Sequence, residues 1–461
     1  IVVVLSLIII VVIVANVILW SYQMNQLDWE KIQENISIES VTQATSAQTL
    51  YAHQETTNIN GASYYQLKTG SADTSGSTLS ASMGSVARVN FGKFVYPLTG
   101  ITSIPASTWT IYYRAWRTGI AFDAVSYGNN GGGSTSVSWS HTTTSAENRI
   151  MIVGVSIRTT TVSVSSITYG SQSLTFVRND TNSDKVRSEL WYLIAPNSGT
   201  ATVTVTLTGT SKATGGSCTY TGVAQTSPLD ANDGGTGTSN SSSKNVAINT
   251  ADSWMLGHLA ITGSSTTVTS EGSGQAMKWD QVTTLAAPST RNRGHGSDKG
   301  PVTIGSQSMS WSLSGSVDWA VSIIAFKPLP VVSHVDVDIL IRMSDGTIRA
   351  IIASNVADSA NLTSTATTLS GTYSWAEYTV VDQTDYLEID YYCDVITASL
   401  GQSAYLRIDD NTLAQMDQTR IANMMLTDGT LFTFKNKGAS TSHIVSLWII
   451  NSTYHQHYSV D

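Results

Sequence analysis

The first twenty residues, Ile1–Trp20, form an apolar run without a charged side chain. Only Ser6 and Asn16 interrupt it, and the first charge in the chain is Asp28. A helix of about 20 apolar residues is long enough to cross the roughly 30 Å hydrocarbon core of a bilayer. The run has no polar stripe, so a helix of this sequence is predicted to be buried on every side, in lipid or among other helices.

The run begins at Ile1, and no basic residue precedes it. A secretory signal carries positively charged residues before its apolar core. We therefore expect that a charged leader is cleaved immediately before the run, which then stays on the mature protein. The alternative is that the sequence starts at its first ordered residue.

Beyond Trp20 the sequence becomes amphipathic, with Met24, Leu27 and Ile32 on one side of a helical repeat. This pattern predicts that the helix continues to about residue 35, with an end as late as the mid-40s. We assign residues 1–45 to an N-terminal hydrophobic helix that leaves a core of helices and docks on its own globular domain.

From about residue 48 the hydrophobic period changes to two, which predicts β-strands. An aromatic-rich alternating pattern ends at Trp116 and returns at Val335, after some two hundred residues rich in Ser, Thr and Gly. We therefore predict a host β-sandwich of residues 46–120 plus 331–461 and a second β-sandwich, 121–330, inserted at an exposed loop. Three consecutive domains are the alternative.

The predicted insert contains similar segments at nearly equal spacing. Gly199–Gly209 and Gly305–Gly315 share a Ser/Thr-alternating pattern at an offset of 106 residues, which favours an internal duplication. Similarity among Ser/Thr-rich strands in general is the alternative. The predicted fold class is mainly β with one long N-terminal α-helix, with jelly-roll or immunoglobulin-like antiparallel sandwiches, one inserted in the other.

Charge and motifs exclude several functions. The formal net charge of -9 and the absence of a Lys/Arg cluster argue against nucleic-acid binding. No nucleotide-binding, hydrolase-elbow or metalloprotease motif occurs, and Cys218 and Cys393 show no zinc-ligand spacing. We therefore predict that the chain is not an enzyme and has no cofactor and no metal site.

Two alternatives to this prediction involve polar and aromatic side chains. Carboxylates at period two are expected on the solvent face of a strand, but a calcium site among Asp336, Asp338, Asp409 and Asp410 is the alternative. The tryptophans of the insert are expected in its core, with stacking on sugar rings as the alternative.

In the order of its parts, the chain resembles archaeal type IV pilins and the related archaellins, in which an apolar N-terminal helix precedes an extracellular β-domain. The resemblance rests on residues 1–34 and, beyond them, on architecture. Bacterial type IV pilins have Glu at the position of Leu5, whereas Leu there is compatible with the archaeal members. In this family a prepilin peptidase removes a short basic leader, and the helix then packs with its copies in the filament core.

The resemblance implies a structural subunit of an extracellular type IV pilus-like filament, with its β-domains on the outer surface and a role in adhesion or surface attachment. It implies as partners many copies of the chain, the pilus assembly machinery in the membrane and surface glycans. The helix is implied to be membrane-inserted before assembly. The polymerisation helix would then include Ile1, Val2, Leu5, Ile8, Val12, Asn16, Ile18, Trp20, Met24 and Leu27.

Two other functions stay open, a monomeric surface adhesin anchored by Ile1–Trp20 and a glycan-binding protein. Five sequons are consistent with an exported glycoprotein. The candidate N-glycosylation sites are Asn35, Asn179, Asn240, Asn361 and Asn451.

Overall fold

The structure, a computed structural model, describes residues 36–183, 185–263, 265–283, 291–436, 446–450 and 455–459. It is almost entirely β, with 70% of residues in strands and 1% in helix. A three-residue 3-10 turn lies at Gln415–Asp417. Strands β1 to β6 are Ile36–Ile59, Ala62–Lys68, Ser75–Ser82, Arg88–Pro97, Ser103–Ile104 and Ser107–Arg117.

The remaining strands follow in chain order. Strands β7 to β15 are Ala121–Asn129, Ser134–Thr143, Ile150–Ile157, Val164–Tyr169, Gln172–Ser173, Thr175–Asn182, Val186–Ile194, Gly199–Ser211 and Ala213–Thr221. Strands β16 to β21 are Leu229–Ile248, Ser253–Thr262, Val268–Glu271, Gln275–Val282, Asn292–Val302 and Gly305–Phe326. Strands β22 to β30 are Val332–Arg342, Ile348–Val356, Thr367–Trp375, Tyr378–Thr379, Tyr386–Thr397, Ser403–Asp410, Arg420–Asn436, Ser446–Ile450 and His455–Ser459.

The predicted fold class is wrong in its long N-terminal α-helix, because the described residues contain no helix of seven residues or more. The prediction allowed the helix to reach the mid-40s, but β1 already begins at Ile36. Its first residues, Ile36, Ile38, Val41 and Thr42, are β-branched, and such side chains are restricted in a helix and favoured in a strand. Residues 1–35, with all ten residues of the predicted polymerisation helix, lie outside the described residues.

The chain divides into two compact units. Of the described residues, the smaller unit contains 36–46, 100–105, 425–436, 446–450 and 455–459. In it, Ser103 of β5 pairs with Thr427 of β28, and the Ser103 hydroxyl donates a hydrogen bond of 3.1 Å to the Thr427 hydroxyl. Strands β29 and β30 form an antiparallel hairpin.

The larger unit contains residues 47–99 and 106–424. Strands that precede residue 118 and strands that follow residue 331 share hydrogen-bonded ladders, in the orders β23–β22–β26–β4–β2–β1 and β6–β27–β3, with β24 beside β6. Residues 121–326 form three other sheets, of four, five and six strands. The predicted domain boundaries remain predictions.

These three sheets contain the same strand pairing twice. In the first half, β14 pairs with β8, and β15 pairs with both β7 and β9. In the second half, the long strands β16 and β21 pair along their length, and the end of β21 also pairs with β17. In the first half, Ile150 lies opposite Tyr220. In the second half, Trp254 lies opposite Phe326. Trp254 is 104 residues after Ile150, and Phe326 is 106 residues after Tyr220. In the second half, β16 therefore takes the place of both β7 and β8, and β21 takes the place of both β14 and β15.

The two halves bury their apolar side chains in three large clusters and in a small one of Val186, Ala260 and Ala320. One lies between the four- and five-stranded sheets of the first half, and one lies within the second half. The third joins the halves, since Ile152 and Tyr220 of the five-stranded sheet pack with Ile324 and Trp279 of the six-stranded sheet. Cys218, also in this cluster, is a buried free thiol.

Candidate functional site

The sequence-predicted sites that fall within the described residues lie on the surface or are dispersed. Asn179, Asn240 and Asn361 are exposed, whereas Asn35 and Asn451 lie outside the described residues. Their glycosylation stays a prediction.

The four aspartates of the alternative calcium site are not brought together as one set of ligands. Asp336 and Asp338 both contact Arg88, and Asp410 contacts Arg407 at 2.7 Å. The fourth, Asp409, joins a different group of side chains, His53, Glu55 and Asp73. We call His53, Glu55, Asp73 and Asp409 the His53 cluster.

A β-bulge places two members of the His53 cluster. Strand β1 pairs with β2 at Ala52 opposite Leu67 and resumes at Thr56 opposite Tyr65, so three residues of β1 face one of β2. A bulge of this kind releases residues from the regular ladder and redirects their side chains. His53 and Glu55 both lie in this released segment.

A second irregularity places Asp409. Strand β27 pairs with β3 at Ile408 opposite Ser77 and at Asp410 opposite Ser75, and Asp409 between them has a φ of 54°. Its counterpart, Gly76, has a φ of 84°, and a Cβ there would lie 2.8 Å from the Cβ of Asp410. Aspartate tolerates this left-handed conformation better than most residues do, and glycine adopts it freely.

The loop between β2 and β3 is held against both irregular segments. The Gly70 carbonyl lies 3.0 Å from His53 Nε2, and the Ala72 amide donates to the Gln418 side chain at 3.1 Å. The Asp73 amide donates to Asp409 Oδ1 at 3.0 Å, and the Thr74 hydroxyl donates to the Asp409 carbonyl at 2.8 Å. The loop therefore presents the Asp73 carboxylate from a fixed backbone.

In the resulting cluster, His53 Nδ1 faces three carboxylates. It lies 3.2 Å from Asp409 Oδ1, 3.5 Å from Glu55 Oε2 and 3.8 Å from Asp73 Oδ1. Nδ1 nevertheless has no hydrogen-bond partner, and Glu55 Oε2 has none either. The side chains of His53 and Asp409 are 1% and 0% exposed, whereas those of Glu55 and Asp73 are 39% and 58% exposed. The cluster is thus buried at one end and open at the other.

One cation stands at the open end of the cluster. Lys68 Nζ lies 3.1 Å from Glu55 Oε1. Burial raises the pKa of Glu55, but a backbone hydrogen bond and Lys68 outweigh it and lower this pKa below its ordinary value. Glu55 is therefore a carboxylate at neutral pH.

A second group, which we call the His334 cluster, consists of His334, Asp336 and Asp394. His334 Nε2 lies 3.8 Å from Asp394 Oδ2. The Asp336 carboxylate is fully buried and is hydrogen-bonded by the Arg88 guanidinium, which also lies 2.9 Å from Asp338. Burial raises the pKa of Asp336, and the bond to Arg88 counteracts this rise. Arg88 thus supplies positive charge inside this cluster.

Strand β26 carries a further pair of buried carboxylates, Glu388 and Asp390. Lys93, the cross-strand partner of Asp390, lies 3.2 Å from Asp390 and 3.7 Å from Glu388, and Arg342 also donates to Glu388. Burial and the neighbouring charge of Glu388 raise the pKa of Asp390 to about 7. Sequence reasoning missed this pair because the flanking residues Leu387 and Ile389 are buried too, so both faces of the strand are covered.

Two depressions of about 360 and 320 Å³ open to the solvent on the described surface. They are lined by Gly132, Gly133, Arg158, Thr159, Thr210, Ser211 and Lys212, and by Asp233, Ser243, Lys244 and Asn245.

No protein-family model and no curated protein matches the chain. Among solved structures, the chain is compared with the Faustovirus major capsid protein, at 7% identity over 89% of this chain and 93% of that one. The TM-score of this comparison is 0.10, which is too low to support an argument about fold or function. In the part of the chain that the structure describes, no helix is both long and apolar enough to cross a membrane.

Proposed function

We propose that the chain is a structural subunit of a cell-surface assembly, in which residues 1–20 are buried against further copies of the chain and the β-domains form the exposed body. The charge-free apolar run carries this proposal. Burying one Val, Leu or Ile side chain stabilises by about 1.5–3 kcal/mol, so a run composed of such residues gains strongly from leaving water. The proposal rests on the composition of the run and not on a helical conformation.

The strand surfaces support a structural role. In β14, Val203, Val205 and Leu207 are buried, whereas Thr206 and Thr208 between and beyond them are exposed. Charged residues make up only 12% of the chain, and hydroxyl groups cover such outward strand faces. A surface with few charges favours lateral contact between copies, because little like-charge repulsion opposes it.

The tryptophans of residues 121–330 also support a structural role over binding of sugar rings. Trp139, Trp279, Trp311 and Trp319 are buried. The indole nitrogens of Trp139 and Trp311 donate hydrogen bonds to Ser217 and Ser297, as expected of core residues. These four side chains therefore stabilise the sheets and are not available for stacking on a glycan.

The test uses the full chain purified in mild detergent and then transferred to detergent-free buffer, with analytical ultracentrifugation and negative-stain electron microscopy as readouts. We expect ordered polymers of the wild type. Val12→Lys places a charge in the apolar run and should abolish them, because an unpaired charge is costly to bury. Ser145→Lys, at an exposed bend of the described surface, adds the same charge and should leave polymerisation intact.

Two outcomes would contradict the proposal. A chain that stays monomeric in detergent and partitions as a monomer into vesicles would indicate a membrane-anchored surface protein, consistent with the span-like length of the run. A chain that is monomeric and soluble without detergent would remove the role of the run altogether. Far-ultraviolet circular dichroism of each variant checks that the β fold is retained.

A further inference from the structure

We infer that the His53 cluster is a structural binding site for a divalent transition-metal cation such as Zn²⁺ or Mn²⁺. The site lies within the larger unit, and the inference is independent of the proposed function. It rests on the hydrogen bond that orients the His53 ring, on the spacing and charge of the ligands, and on the way the backbone holds them.

The hydrogen bond of His53 determines which ring nitrogen is free. Nε2 lies 3.0 Å from the Gly70 carbonyl, and a carbonyl can only accept, so Nε2 carries a proton. In the neutral imidazole, Nδ1 then presents a lone pair. A backbone carbonyl that fixes the other ring nitrogen in this way is typical of metal-binding histidines.

The environment of Nδ1 requires a positive charge. The nitrogen is buried with no hydrogen-bond partner, although carboxylate oxygens of Asp409, Glu55 and Asp73 lie within 3.8 Å. A lone pair and three carboxylates repel one another unless a positive charge, a metal ion or a proton on Nδ1, lies between them. Three carboxyl groups surround Nδ1 and the one cation beside them, Lys68, contacts Glu55 at the rim, so the buried end of the cluster favours an added cation.

The donor spacing fits a transition metal. Four donors at about 2.1 Å from a zinc ion in a tetrahedron lie about 3.4 Å from one another. Nδ1 lies 3.2, 3.5 and 3.8 Å from its three carboxylate oxygens, so small movements of the exposed Glu55 and Asp73 side chains complete the geometry. An imidazole nitrogen among the donors favours Zn²⁺ over Ca²⁺ and Mg²⁺, which prefer oxygen ligands alone, and the three carboxylates also suit Mn²⁺.

The ligands are held in place by the backbone. Asp409 accepts hydrogen bonds from the amides of Asp73 and Gln54, at 3.0 and 3.3 Å, and its backbone carbonyl accepts from Thr74. A site with its ligands already oriented binds a metal at lower entropic cost. The bound ion would connect the end of β27 to β1 and to the loop before β3, which lie more than 300 residues earlier in the chain.

The test is metal titration of the full chain after removal of metal with a chelator. Isothermal titration calorimetry with ZnCl₂ should show one ion at this site per chain, and Co²⁺ should give the visible absorption of a low-coordinate histidine–carboxylate site. The double variant Glu55→Gln/Asp73→Asn removes two ligands from the exposed rim and leaves the buried pair intact. We expect it to bind Zn²⁺ at least about 100-fold more weakly, because even the partners of ligands contribute 10–100-fold to affinity.

The matched control is Asp358→Asn. Asp358 is 58% exposed, like Asp73, and lies 3.9 Å from His334. It should leave the Zn²⁺ affinity unchanged. Equal Zn²⁺ binding by the wild type and the double variant would overturn the inference, and so would wild-type protein that binds neither Zn²⁺ nor Mn²⁺ and gives no Co²⁺ absorption. The Co²⁺ measurement needs no variant and stands even if the double variant does not fold.

Discussion

The His53 cluster and the His334 cluster both join a histidine to carboxyl groups but obtain their positive charge differently. In the His334 cluster, the Arg88 guanidinium hydrogen-bonds the buried Asp336 carboxylate and also contacts Asp338. In the His53 cluster, two backbone amides hold the buried Asp409 carboxylate, and the cation Lys68 stands at the open rim. The His334 cluster therefore contains its counter-charge at its buried end. The His53 cluster has none there, so its buried end is available to an ion from the solvent.

The difference shows that a histidine beside carboxylates is not sufficient evidence for a metal site. Hydrogen bonds from amides orient a carboxylate and leave part of its negative charge uncompensated, whereas a guanidinium both orients and neutralises it. A metal ion and an arginine therefore compete for the same position. Substitutions and added Zn²⁺ that change the positive charge in one of these regions, with the other regions as reference, test this difference.

The largest expected effect comes from removing Arg88. Arg88→Met removes the guanidinium that lies over Tyr392 and leaves Asp336 buried without a counter-charge, and breaking such a pair costs about 3–5 kcal/mol. Arg420→Met is the control, because Arg420 lies 3.8 Å over Tyr112 as Arg88 lies 3.8 Å over Tyr392, but its hydrogen bonds go to backbone carbonyls. Urea unfolding of both variants measures the difference. Equal losses would show that stacking and not charge explains the effect.

Zinc should stabilise the chain only through the His53 cluster. At a free Zn²⁺ concentration of about 100 times the Kd, binding to the folded state alone raises the free energy of unfolding by about 2.7 kcal/mol. His334→Gln should retain this gain, and Asp73→Asn should lose most of it. Thermal or urea unfolding with and without Zn²⁺ provides the measurement. A gain that disappears in His334→Gln would assign zinc binding to the other cluster.

The carboxylate pair on β26 is an intermediate case, in which Lys93 is present but leaves Asp390 with a pKa of about 7. A carboxyl group whose pKa is raised on folding stabilises the fold at low pH, and this contribution is lost as the pH rises through the folded pKa. The free energy of unfolding should therefore fall from about pH 4, near the ordinary pKa of the carboxyl, to about pH 7, by at most about 1.4 kcal/mol per pH unit from one group.

Asp390→Asn should remove most of this decrease. Asp345→Asn is the control, because hydrogen bonds from Thr347 lower the pKa of the exposed Asp345, which therefore does not titrate in this range. Urea unfolding across the pH range distinguishes the two. An unchanged slope in Asp390→Asn would show that another group causes the decrease.

The strands could be predicted from the sequence, whereas the position of their buried charges could not. Period-two alternation in β14 identifies the strand and its inner face correctly. Asp336 was expected on a solvent face, and this expectation is wrong because β22 is buried on both faces, with Val335 and Val337 buried beside it. Alternation indicates which residues share a face, but it does not show whether the other face is covered by a further layer of the fold.

The His53 cluster could not be predicted for a different reason. Its members depend on two local irregularities, the bulge after Ala52 and the left-handed Asp409, and neither has a distinctive sequence pattern. Its hydrogen bonds also connect residues 336 and 355 positions apart. His53 and Glu55, two residues apart, are a weak local indication of a metal site. The other two members, Asp73 and Asp409, are brought to them only by the tertiary structure.

The smallest expected effect separates stability from metal affinity at the rim of the His53 cluster. Lys68 and Glu55 are 33% and 39% exposed, and such a pair contributes about 0.2–1 kcal/mol to stability, so Lys68→Met should destabilise the metal-free chain by no more than this. The same substitution removes a positive charge beside a cation site and should tighten Zn²⁺ binding by about 1.4- to 5-fold, the same energy expressed as a binding ratio. Calorimetry of Zn²⁺ binding at low and high salt should show the gain shrinking as salt screens the exposed charge. A decrease in Zn²⁺ affinity would mean that Lys68 orients Glu55 as a ligand more than it competes with the ion, and the His53 cluster would then resemble the His334 cluster in depending on its own cation.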